Sequence, residues 1–238
     1  VEGVVITTRH DLHAEQVLES LRKNKHVFVE KPLALNKDDI IKIENAHIES
    51  GKTVTVGFNR RFSKFSIKAK NVIGDNPGSI NVIASINAGH IPEDHWTQDM
   101  NIGGGRIVGE GCHFIDLISF FTSSEIDSVC VGTNGTSSQL KNDNATILLK
   151  YKSGSLGVIN YFSNGNKSYP KERIEIYQNG KNIIIDNFKS IHFYGYREKK
   201  LKTSQDKGHS EQFKRWNSML KNGGPPIIPF SSIKNTSE

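Results

Sequence analysis

Cysteine is scarce in this chain. Two residues, Cys112 and Cys130, cannot build a disulfide framework, and their spacing matches no zinc knuckle, so both read as free thiols. Long apolar runs are missing too: no stretch approaches the roughly 20 residues of a membrane span. The first residues lack the charged, apolar and small-residue zones of a signal peptide, so a cytoplasmic location and no membrane partner are expected. There is no internal repeat and no low-complexity tract. No Gly-x-Gly-x-x-Gly turn follows a strand, so the glycine fingerprint that cradles a dinucleotide pyrophosphate is absent; Gly103, Gly104 and Gly105 follow a loop and stand at the wrong spacing to Gly109. Negative charge is short of balance by six, and residues 189–222, with nine Lys/Arg against three acids, account for the whole excess. The segment reads as a solvated face rather than a nucleic-acid footprint. An anionic small molecule such as a nucleotide sugar would suit it equally.

What is present begins with regular punctuation. The β-branched "VEGVVITT" reads as a buried strand, and "HDLHAEQVLESLRKNK" as a helix with Leu12, Ala14, Val17, Leu18 and Leu21 at helical spacing and Asp11 as its N-cap. "HVFVE" is a second strand interrupted by Pro32, "NKDDIIKIENAHIESGK" a helix running from Asn36 to a stop at Gly51, and "TVTVGF" a third strand. Alternating strands and helices with short links predict parallel strands joined by right-handed crossovers, a doubly wound α/β unit. After Arg61 the grammar changes. An amphipathic helix, a strand over "SINVIASINAG", a polar loop across residues 90–105 and a helix from about Ile107 to Phe121 lead into a run of strands. "KSGS" and "QNGK" mark hairpins among them. A helix over "SEQFKRWNSMLKNG" and a polar tail after "GPPIIPF" complete the chain. The expected fold class is α/β followed by α+β, with a mostly antiparallel open sheet covered by helices on one face, divided into residues 1–59 and 60–238.

"HVFVEKPLAL" is similar to the Glu-Lys-Pro segment of the glucose–fructose oxidoreductase and inositol dehydrogenase family, the Gfo/Idh/MocA group. "VVITTRHDLHAE" before it, "VTVGFNRRFS" after it and "GGGRIVGEGCHFIDL" at 103–117 extend the resemblance, in order, over nearly the whole chain. The resemblance implies a two-domain oxidoreductase that uses NAD or NADP and acts on a sugar, nucleotide sugar or cyclic polyol. It also implies that residues 1–59 are the C-terminal half of a Rossmann domain, that the glycine fingerprint lies upstream, that the family's last helix is absent, and that the chain is a fragment inactive alone. A homo-oligomer through the C-terminal sheet is expected. The competing reading is a non-catalytic dimerisation or scaffold module built on that sheet.

Oxidising a secondary alcohol requires a hydride acceptor beside the carbon and a base for the hydroxyl proton. The resemblance places Lys31 near the nicotinamide and the substrate hydroxyl, with the bond before Pro32 often cis, and makes Lys31 and His113 the catalytic candidates. An imidazole titrates near neutral pH, and His113 shares a helix face with Asp116 three residues on. Thr7, Thr8, Arg9 and His13, which begin the crossover after the first strand, together with Glu30, Lys31 and Pro32, are the expected cofactor contacts. Arg60 and Arg61 lie where strand ends open onto a ligand crevice, and either clamp an anionic group or form interdomain ion pairs. With Glu110, Asp116 and Trp96 they are the candidate substrate contacts; His95, Tyr161 and Trp216 are weaker ones. The chain departs from the family at one point: where many members carry an Asp four residues before the histidine, it has Gly109, with the acid next door at Glu110. One step along an α-helix turns a side chain by about 100 degrees, so Glu110 replaces that Asp only if the backbone is irregular. No metal is expected, because Glu110, Cys112, His113 and Asp116 do not share one face and no second cluster exists.

Overall fold

A computed structural model describes residues 2–134 and 143–238. The chain divides into two compact units, one made of residues up to Phe58, Asp94–Asp116 and Ser210–Glu238, the other of Asn59–Glu93 and Leu117–His209. The first unit is thus assembled from three separate stretches of the chain.

The first unit is built on a parallel sheet of three strands, β1 (Gly3–Ile6), β2 (His26–Val29) and β3 (Val54–Val56), in that order. Helices α1 (His10–Arg22) and α2 (Lys37–Ser50) make the crossovers. Val27, Phe28 and Val29 are all buried, and since neighbouring strand residues point to opposite faces, both faces of β2 are covered. Helix α5 (His209–Asn222) covers the Phe28 face, with Trp216 edge-on to the Phe28 ring at 5.6 Å between centroids. The α2 punctuation is as expected: the Asn36 side chain accepts from the Asp39 amide at 2.9 Å, and Gly51 closes the helix at φ 63°.

Three local expectations are corrected. Helix α1 starts one residue before Asp11, with Arg9 at the cap position and no side-chain bond; the Asp11 amide donates instead to the Ile102 carbonyl, so the 94–116 loop satisfies a helix-end donor. The helix expected from Ile107 to Phe121 is not continuous α-helix, because Ile107–Gly111 form a π-turn before α4 (Cys112–Thr122) begins. Residues after Pro229 are not a tail but helix α6 (Phe230–Ser237). Its Ile233 and Thr236 are buried three residues apart, and Lys234 pairs with Glu44 at 2.7 Å.

The second unit carries a mixed eight-stranded sheet covered by helix α3 (Lys64–Ile73) and the second half of α4. Strand β4 is Asn81–Asn87 and β5 Ile126–Thr133, followed by β6 (Ala145–Tyr151), β7 (Leu156–Phe162), β8 (Glu172–Gln178), β9 (Lys181–Asp186), β10 (Ser190–Tyr194) and β11 (Leu201–Lys202). The order is β11-β10-β9-β8-β4-β7-β6-β5, and β4–β7 is the parallel pairing in an otherwise antiparallel ladder. Ile147, Leu149, Ile159, Ile174 and Ile183 alternate inward, while Leu148, Leu156, Phe162 and Tyr177 face outward. Both expected hairpin turns form, with Gly154 at φ 81° and Asn179-Gly180 at φ 49° and 73°.

The buried Ile233 tests whether α6 belongs to the folded unit. Ile233→Ala is expected to destabilise the protein by about 2–5 kcal/mol, as for other fully buried large-to-small changes, read as a lower urea midpoint with unchanged slope.

Candidate active site

The Glu30-Lys31-Pro32 turn follows β2 directly, and the Lys31–Pro32 peptide is cis, as the resemblance implies. Lys31 is half-buried, and its Nζ donates to the Gly109 carbonyl oxygen at 2.8 Å, 78 positions along the chain. That bond brings the lysine turn to the π-turn that precedes His113. A π-turn is an energetically uncommon way to continue a helix and is found mostly at functional sites. The Glu30 carboxylate lies over Gly57, where a Cβ would stand 2.8 Å from Oε2, so glycine is required there for the acid to fold back beside its own turn.

His13 is fully buried with its ring between two carbonyl oxygens, Pro32 O at 2.7 Å from Nδ1 and Thr8 O at 3.1 Å from Nε2. It therefore ties the end of β1 to the cis-proline turn after β2. Thr7, Thr8 and Arg9 are exposed beyond β1, with the Thr8 hydroxyl donating to Gln16 at 2.8 Å and the Arg9 guanidinium 6.0 Å from the Trp96 ring centre. Trp96 is half-buried in a short 3₁₀ turn capped by the exposed His95.

His113 and Asp116 are both buried on the first turns of α4, and Phe58 stands edge-on to the His113 ring at 6.5 Å. Glu110, in the irregular turn, forms an ion pair with the buried Arg106 at 3.2 Å. Cys112 is a buried thiol and Cys130 an exposed one. Among the described residues no group of three or more His, Cys, Asp and Glu side chains converges as a metal site would.

One residue of this neighbourhood escaped sequence reasoning. His10, the first residue of α1, is buried, with its Nδ1 2.8 Å from the Gly103 carbonyl and its ring edge-on to Trp96 at 4.8 Å. Its imidazole occupies the space beside Gly109, where a Cβ would stand 2.9 Å from Cε1. The signal was faint: a second histidine three residues before His13, on the same side of α1. Burial chiefly, with the Lys31 and His13 charges behind it, pushes the His10 pKa below the usual 6.5 despite the opposing Gly103 hydrogen bond and the Asp11 charge.

In the second unit, Arg60 is engaged with Glu172 at 2.9 Å, and Lys207 joins the same carboxylate oxygen at 2.8 Å. Arg61 is buried with its guanidinium 5.3 Å from the Phe120 ring centre. Tyr161 and Trp216, considered for sugar contact, are instead core residues: Tyr161 points inward from β7 and Trp216 packs on Phe28, where burying their large apolar area outweighs exposure.

A parallel strand–helix repeat of this kind is a Rossmann-type arrangement, in which ligands lie beyond the C-terminal ends of the strands. Residues 1–58 match the "Oxidoreductase family, NAD-binding Rossmann fold", and residues 69–182 match the "GFO/IDH/MocA C-terminal domain". The chain belongs to the Gfo/Idh/MocA family of oxidoreductases. It is 25% identical to the myo-inositol 2-dehydrogenase of Thermotoga maritima, over 96% of this chain and 72% of that protein. It is 24% identical to the uncharacterized oxidoreductase YrbE of Bacillus subtilis, over 79% of this chain and 56% of that protein. Among solved structures, UDP-N-acetylglucosamine 3-dehydrogenase GnnA from Acidithiobacillus ferrooxidans superposes with a TM-score of 0.82 at 16% identity, covering 100% of this chain and 75% of that one. The WlbA dehydrogenase of Bordetella pertussis, in complex with NADH and UDP-GlcNAcA, does so at 0.79 and 19%, covering 100% and 74%.

The buried Glu172 gives this region a pH signature. Burial alone would raise its pKa, but the charges and hydrogen bonds of Arg60 and Lys207 outweigh burial and hold it below the ordinary 4.5. A depressed carboxylate contributes stability that is present above pH 4.5 and lost as the pH falls through its folded value. Glu172→Gln, which removes the carboxylate charge shared by Arg60 and Lys207, is expected to cost about 3–5 kcal/mol at pH 7 and to flatten the acid limb of the stability curve, measured by urea titrations from neutral to acid pH.

Proposed function

We propose that the chain is the catalytic portion of an NAD- or NADP-dependent enzyme that transfers hydride between the cofactor and a carbon of a sugar, nucleotide sugar or cyclic polyol. The observation that carries this reading is the Lys31 Nζ–Gly109 O contact at 2.8 Å, which joins the cofactor-side turn to the segment bearing His113. The strand ends suit a nicotinamide: Thr7, Thr8 and Arg9 leave polar groups exposed beyond β1, and Lys31 keeps one ammonium half-buried beyond β2. When bound, that cofactor supplies the hydride acceptor. Lys31 holds positive charge where the substrate oxygen becomes an alkoxide, and His113 takes the hydroxyl proton. Glu110 and Asp116 contribute to holding the substrate, and Glu110 does so as the partner of Arg106.

The substrate class rests on the inositol and UDP-sugar dehydrogenases among the chain's relatives and fold neighbours. A second copy of the chain is the proposed partner, covering the outward Leu148, Leu156, Phe162 and Tyr177 of the sheet, each well exposed here. This assembly is compatible with catalysis, and it is all that the scaffold reading requires.

Lys31→Met and His113→Ala are each expected to lower kcat by about 100-fold or more in the intact protein supplied with NAD and myo-inositol or UDP-N-acetylglucosamine, followed by NADH absorbance. Unchanged turnover in both variants overturns the redox assignment. Light scattering is expected to show a dimer or larger assembly that Leu148→Lys shifts toward monomer; a wild-type monomer at high concentration removes the sheet partner.

A further inference from the structure

His10 was not among the expected contacts, yet its geometry is that of a built acceptor. A carbonyl oxygen only accepts, so the 2.8 Å contact to Gly103 O means that Nδ1 carries the proton. In the neutral ring Nε2 then holds a lone pair. Nε2 has no hydrogen-bond partner among the described residues, and it is not one of the sealed, unsatisfied atoms of the interior. The residue is 7% exposed, so the acceptor is nearly enclosed rather than on an open surface. Lys31, Gly109 and Trp96 surround the ring, and Gly109 provides the room: any side chain there would collide with Cε1.

We propose that His10 is a ligand-binding residue of the Lys31 site, its Nε2 accepting a hydrogen bond from a hydroxyl of the polyhydroxylated substrate while Nδ1 is pinned by Gly103. The inference rests on the redox reading of that site. It assigns the residue to binding and leaves proton abstraction to His113. Because an acceptor is needed, binding requires neutral His10. The charged groups acting on it are Lys31 and His13, which disfavour a second proton, and Asp11, which favours one; Arg9 lies with its guanidinium 6.0 Å from the Trp96 ring centre. Protonation removes the lone pair and adds positive charge beside the lysine, so substrate affinity falls with pH from below 6.5, the ordinary histidine value that His10 is held beneath.

Nitrogen-15 NMR of the full chain with NAD present, combined with steady-state kinetics, tests the assignment. The expected spectrum shows Nδ1 protonated, Nε2 of lone-pair type, and a midpoint below 6.5. Adding myo-inositol, glucose or UDP-N-acetylglucosamine should move the Nε2 resonance with at least one probe. His10→Asn keeps an amide donor for Gly103 but is too short to place an acceptor where Nε2 stands; it is expected to raise KM by about 10-fold with little change in kcat, and to abolish the acid rise in KM. Gly109→Ala, which crowds the ring, should also raise KM and serves, read by the Nε2 resonance, if His10→Asn folds poorly. A proton on Nε2 rather than Nδ1, an Nε2 signal unmoved by all three probes, or a His10→Asn variant with wild-type KM overturns the proposal. If that variant binds normally while Lys31→Met loses turnover, only the His10 inference falls; if Lys31→Met and His113→Ala both turn over normally, the redox reading itself falls.

Discussion

The organisation of the candidate active site depends on one charge-assisted hydrogen bond, from the Lys31 ammonium to the Gly109 carbonyl. It joins an element set by the parallel sheet to one set by a distant loop. Each partner is prepared locally. On the lysine side, His13 lies between the carbonyls of Thr8 and Pro32 and so fixes the turn from beneath. On the glycine side, the π-turn interrupts the ordinary helical register and directs the 109 oxygen at an outside donor. The missing side chain at Gly109 is as important as its oxygen, because the space belongs to His10. Gly109 thus leaves its side-chain space to an imidazole reaching in from another element.

Much of this architecture was legible in the residues. Asn36 and Gly51 punctuate α2 because a side-chain acceptor and a left-handed glycine satisfy helix ends by purely local chemistry. The hairpin at Asn179-Gly180 was legible for the same reason, since positive φ at two successive positions is a property of those residues alone. Lys31 and His113 became candidates only through resemblance, since no local rule joins residues 82 positions apart. The failures have a common cause. Asp11 is a good cap by propensity but lost that role when the Ile102 carbonyl supplied the acceptor. The π-turn was invisible because helical spacing of apolar residues does not reveal one inserted position. Helix α6 was missed because its sequence is mostly polar and its helicity depends on Ile233 finding a buried place and Lys234 finding Glu44.

The second unit balances an apolar interior against a single costly charge cluster. Arg60, Lys207 and Glu172 converge in a place where an unpaired ion would be severely penalised. Asn59 reinforces the arrangement, its amide donating to the Lys207 carbonyl at 2.7 Å, so the turn after β3 is anchored through its polar groups as well as through Phe62 and Phe65. Such a cluster contributes more to selecting one geometry than to net stability, because apolar side chains of similar volume would avoid the desolvation cost.

The central position of β4 also imposes a timetable on synthesis. Both its lateral neighbours, β7 and β8, are encoded some 70 to 90 residues later. A nascent chain therefore emerges from the ribosome with Asn81–Asn87 unmated, and the sheet cannot grow outward from this strand as a string of hairpins does. Its middle must be inserted last or held open, which lengthens the interval in which bare strand edges are available to the wrong chain.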